Sequence, residues 1–132
     1  MKRLSIAVTA LLAYLLITPA TLLAHHSVGG TFDAEKPVSV EGVVTKVEWF
    51  NPHIWIYVSV TAADGSNAEY QCEGSSPNSL RRRGWSKDSL KQGDNIAVEG
   101  ILSRSDPYSC YAQVVRLEDG TRLFSGSASE LR

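Results

Sequence analysis

Three histidines are the residues in this chain whose types and spacing point most directly to chemistry. His25 and His26 are adjacent, and His53 stands alone after Asn51-Pro52. If the chain were cut after Ala24, His25 would carry a free α-amino group. That amine and the imidazole of the same residue chelate one metal ion in a six-membered ring. One further imidazole, from His26 or His53, completes a three-nitrogen set, the arrangement called a histidine brace. Copper suits such a set, because it heads the affinity order for amine and imidazole nitrogen. The amine has an ordinary pKa of about 7.7–8.0, so a metal ion displaces its proton near neutral pH.

The second chemical feature is the pair Cys72 and Cys110, the only cysteines. In an oxidising compartment they are expected to form a disulfide. It would stabilise the fold by about 4 kcal/mol in the chain-entropy model. A thiolate metal site is the alternative, but no second Cys or His stands near either one at ligand spacing.

The third feature is aromatic and basic. Trp55 and Tyr57 share one parity in an alternating run, with Trp49 nearby. On an exposed sheet, such rings stack bases or sugars, or else cover the sheet. Arg81, Arg82 and Arg83 end a short helical segment, either as a solvated face or as a site for an anion or protein partner. There is no Gly-x-Ser-x-Gly, no His-Glu-x-x-His and no phosphate-binding glycine loop. The residues therefore favour binding over catalysis.

Everything about His25 depends on the segment before it. Lys2 and Arg3 precede an uncharged apolar run, Leu4 to Ile17. Pro19 breaks the run, and Leu22-Leu23-Ala24 puts a small residue before the expected cut. Residues 1–24 read as a cleaved signal peptide and the protein as periplasmic. A cut after Ala20 competes, as does an uncleaved anchor, since Leu4 to Ala24 approaches the ~20 residues a span needs. Removing residues 1–24 leaves 108 residues with 11 basic against 14 acidic side chains. That mild negative balance argues against nucleic acid, whose phosphates need clustered positive charge.

The elements that must position these groups are strands. Residues 25–37 read as an extended arm. Val38 to Trp49 is a long strand with a bulge expected at Gly42, after which the apolar set becomes Val43, Val47 and Trp49. His53 to Thr61 alternates cleanly, with Ile54, Ile56, Val58 and Val60 on one face. Ala68 to Glu73 is a third strand. Ser76-Pro77 opens a short helix over 78–83, and Ser86 to Leu90 reads as a further helical turn. Asn95 to Leu102 and Tyr108 to Leu117 are the fourth and fifth strands. Asp119-Gly120 turns a final hairpin near Phe124, and residues 125–132 are expected to fray. An all-β domain over 38–124 follows, a small five-stranded OB-like barrel with one short helix after strand three. A β-sandwich is the alternative.

Several segments together carry a resemblance. They are His25-His26-Ser27, Phe32-Asp33, Lys36-Pro37-Val38, Gly42 through Trp49, Asn51-Pro52-His53, Ser76-Pro77-Asn78, Arg82-Arg83-Gly84-Trp85 and Leu90 through Asp94. With these the chain resembles an uncharacterised family of small exported proteobacterial proteins. The resemblance implies a periplasmic protein whose mature form starts His-His-Ser, which supports the cut after Ala24. It implies no activity. The chain departs from the family pattern at Val28-Gly29-Gly30, where a more hydrophobic start is usual.

Two function classes remain. One is a copper-binding module in metal handling, built on His25 with His26 or His53; a brace-type oxidative enzyme is its catalytic variant. The other is a non-metal module that holds a protein, glycan or anionic ligand on Trp55 and Tyr57 or on Arg81, Arg82 and Arg83.

Overall fold

The computed structural model describes residues 28–126. The expected signal peptide, His25, His26 and residues 127–132 lie outside them. The elements are α1 (Val28–Thr31), β1 (Phe32–Glu48), β2 (Trp55–Thr61), β3 (Asn67–Glu73), α2 (Pro77–Arg82), β4 (Asn95–Ser103), β5 (Ser109–Leu117) and β6 (Arg122–Phe124).

The class is all-β. One six-stranded sheet runs β3-β2-β1-β4-β5-β6. Its neighbours in that order pair antiparallel. A parallel pairing of β3 with β5 joins Gln71, Cys72 and Glu73 to Ser109, Cys110 and Tyr111. Strands β1, β2, β3, β5 and β4 thus close a ring of hydrogen bonds.

Local sequence accounts for most elements. Along β2 and the residue before it, Ile54, Ile56 and Val58 are fully buried, while Trp55 and Tyr57 between them are partly exposed, as alternation requires. Ser76 caps α2: its side-chain oxygen accepts from the Ser79 amide at 3.4 Å, and Pro77 takes the first helical position, where no amide is needed. Gly84 follows at φ +88°, the left-handed conformation that ends a helix cheaply only with glycine.

Four expectations are corrected. First, β1 begins at Phe32, so residues 32–37 of the expected arm are strand, with Pro37 opposite Ile101 of β4. Second, the bulge lies between Val44 and Lys46, not at Gly42. Val40 and Val44 are therefore buried together, and Val43 is 41% exposed. Gly42 serves a different need: a Cβ there would stand 2.1 Å from the Ser59 carbonyl oxygen. Third, residues 86–90 form turns rather than helix, with the Ser89 amide donating to the Ser86 carbonyl at 3.1 Å. Fourth, Ser125 is completely buried, and its carbonyl accepts from the Ser75 amide and the Arg83 guanidinium. The chain is therefore held through Gly126, whose amide donates to Gln113.

The main core fills the inner side of the ring and includes Val40, Val44, Ile56, Val58, Val98, Val115 and both cysteines. A second, smaller cluster joins Val28, Phe32, Ile101 and Tyr111. Tyr111 alternates with the inward Cys110 and Ala112, so it lies on the outer side. There the first described residues cover it, with the Phe32 and Tyr111 ring centroids 5.7 Å apart. The Arg104 amide and guanidinium donate to the Thr31 and Gly29 carbonyls and fasten this segment to the end of β4.

Candidate functional site

His53 leads into β2 after the cis Asn51–Pro52 bond. The backbone beside it is secured: the Ile54 amide donates to Ser75, and the Gly74 amide donates to Ile54. Ile54 points inward and is fully buried, which turns His53 to the outer face. There His53 Nδ1 pairs with Glu73 Oε1 at the end of β3; the two side chains are 31% and 14% exposed. Glu73 alternates with the inward Cys72 and so shares that outer face.

Strand register sets what surrounds this pair. Glu48, Trp55, Glu73 and Tyr111 form one row across β1, β2, β3 and β5. Trp55 thus lies between two carboxylates. The next row includes Lys46, Tyr57 and Gln71. The Tyr57 hydroxyl donates to Glu48 Oε2 at 3.1 Å, and the Lys46 ammonium sits 5.1 Å from the Tyr57 ring centroid while pairing with Glu48.

Burial holds the Tyr57 hydroxyl above the usual tyrosine pKa, and its bond to Glu48 adds to this. Its hydrogen bond to Lys46 holds Glu48 below the usual carboxylate range. Tyr57 should therefore ionise late in a spectrophotometric titration. Its raised value means that its contribution to stability is present below the ordinary tyrosine pKa and is lost as pH rises through the folded value. Glu48→Gln should move that transition down without restoring the free value, because burial is the larger cause. A transition unmoved by Glu48→Gln would mean that the hydroxyl does not engage Glu48.

The remaining candidates are dispersed. Arg81 Nη1 donates to Asn78 within the helix at 3.3 Å. Arg83 Nη1 instead donates to Ser75 Oγ and to the Ser125 carbonyl, tying the helix end to the last segment. Arg82 is exposed. Arg81 and Arg83 thus have separate partners of their own. Trp49 stacks on Trp85 with centroids 6.4 Å apart, and Trp85 Nε1 donates to the Phe124 carbonyl at 3.1 Å. Cys72 and Cys110 form a disulfide across β3 and β5, with their Cα atoms 4.5 Å apart.

Among the described residues, no group of three His, Cys, Asp or Glu side chains is arranged to hold a metal ion. His53 with Glu73 supplies two, and the other histidines lie outside those residues. Glu73 and Tyr111 are the positions that sequence reasoning missed. Glu73 is twenty residues from His53 in the chain, and no local pattern joins them.

No curated protein and no solved structure matches the chain. A family model does match, over residues 14–109. That span is more than half of the chain, and the protein belongs to the family of unknown function DUF6152.

Proposed function

We propose that the protein is a periplasmic metal-binding module that holds copper in metal handling. His25 supplies its α-amine and imidazole, and His53 supplies the next nitrogen, with His26 as the other candidate. The closed ring order and the helix between β3 and β4 support an OB-like barrel as the scaffold.

One observation carries this reading. His53 and the start of the described chain are linked along the outer face through Glu73 and Tyr111. Glu73 holds His53 and faces Tyr111 across the β3–β5 pairing, and Tyr111 belongs to the cluster that contains Val28. Neighbouring strands lie about 4.8 Å apart, so Tyr111 is about one strand spacing from Glu73. His25 is three residues before Val28, and three residues span at most ~10 Å.

The non-metal reading has less support. The Tyr57 hydroxyl is engaged by Glu48, and the Arg83 guanidinium by Ser75 and Ser125. A ligand that used the Tyr57 hydroxyl or the Arg83 guanidinium would have to displace these bonds.

The test is a copper titration of the exported protein, after intact mass and N-terminal sequencing have located the cut. His25→Ala should weaken copper binding by at least ~100-fold, the upper end of what even outer-shell partners are worth. One extra residue placed before His25 should weaken it too, because it removes the amine from His25 and leaves the ring. Unchanged affinity in both variants would overturn the reading.

A further inference from the structure

We infer that Glu73 is the positioning carboxylate of this site: it accepts the Nδ1 proton of His53 and so makes Nε2 the nitrogen that binds the metal ion. The inference rests on the metal reading above.

A neutral imidazole has one N–H and one lone pair, on opposite sides of the ring. Which nitrogen keeps the proton is decided by the hydrogen bond that the other groups offer. Among the described residues, the group offered to the ring is a carboxylate. Glu73 Oε1 stands at Nδ1, and an ionised carboxylate only accepts. The Nδ1–H, Nε2-lone-pair form is therefore the one that fits.

The geometry is held on both sides of the pair. Glu73 ends β3, where its backbone is paired with Trp55 on one edge and Tyr111 on the other. The neighbouring Cys72 is locked to Cys110. His53 is anchored through the buried Ile54 and its bonds to Ser75 and Gly74. With both backbones secured, the ion pair couples the rotation of the His53 side chain to that of Glu73. Supporting groups on strands hold a ligand more tightly than groups on loops do. A carboxylate behind an imidazole also makes it a stronger donor to a metal ion.

The inference has two independent readouts. The first is imidazole nitrogen NMR of the metal-free protein at mildly alkaline pH. His53 should show the Nδ1–H tautomer in the parent chain and lose that preference in Glu73→Ala. Glu73→Gln should largely restore it, because the amide oxygen accepts the same proton. The second is titration with cupric ion alone. Glu73→Ala should bind about 10–100-fold more weakly, the usual cost of losing such a partner, and His53→Ala with Glu73→Ala no more weakly than His53→Ala.

An Nε2–H tautomer in the parent chain would overturn the inference. So would a loss from Glu73→Ala that persists in full when His53 is already alanine. If His53→Ala weakens copper binding and Glu73→Ala does not, only the role of Glu73 fails. If His53→Ala leaves copper binding intact, the metal reading through His53 fails, and the role of Glu73 with it.

Discussion

Replacing Cys72 and Cys110 together by alanine is expected to cost about 4 kcal/mol of stability. The bond joins residues 38 apart, and closing a loop of that length in the unfolded chain accounts for about that much in the chain-entropy model. The location adds a folded-state reason. The pairing of β3 with β5 has only three residue pairs, and the two cysteines are the middle one. It is the join that closes the ring, and the bond staples it. Both cysteines are fully buried in the main core, so alanine also leaves unfilled space. A domain of this size has about 5–15 kcal/mol in total, so much of its stability is at stake. Urea denaturation of parent and double variant would measure the loss directly. Thermal unfolding should fall by roughly 15–30 °C, at about 4–8 °C per kcal/mol for a domain of this size. A loss below about 1 kcal/mol would mean that the ring closes without help from the bond.

Gly42→Ala and Gly100→Ala should each cost about 3 kcal/mol, the upper range for forcing atoms into packed space. A Cβ at Gly42 would lie 2.1 Å from the Ser59 carbonyl oxygen, and one at Gly100 would lie 2.0 Å from that of Tyr111. Both obstacles are backbone, so no side chain can rotate away. The strands themselves must separate, at β1–β2 in the first case and β4–β5 in the second. Neither glycine has positive φ, so the cost arises from space and not from backbone conformation. Gly84→Ala is the control. Its φ is +88° but nothing stands within 4 Å of the added Cβ, so it should cost only the ~1 kcal/mol of a left-handed residue. Chemical denaturation of the three variants would separate the two causes. Similar losses at all three positions would show that the strands yield to the Cβ.

The fold was legible where a residue and its near neighbours decide the outcome. The alternation in β2 is local, and so is the Ser76-Pro77 start of α2, where the cap and the proline act within one turn. The location of the bulge was not legible. Gly42 carries the ordinary sign of one, but the sign has two causes. The close approach of Ser59 is the actual one, and the extra residue falls at Thr45. Thr45 Oγ1 donates to Glu69 Oε2 at 3.0 Å, a partner twenty-four residues away that no pattern within β1 reveals. Of the candidate site, His53 was legible as a residue at a turn. Its partner was not, because carboxylates on the outer face of a strand are common and only register selects one.

By itself, then, the sequence determined most of the strands, the inward face of β2, the capped helix and the presence of one cysteine pair, because hydrophobic period, capping and composition act over a few residues. Tertiary structure alone decided that β3 lies parallel to β5, and with it that Cys72 meets Cys110 and Glu73 meets Tyr111. It also decided that His53 rests against Glu73 on the face where Val28 arrives. These are contacts between residues 20 to 83 positions apart. Such pairings are chosen by closure of the whole ring and burial of its common core, to which every strand contributes at once.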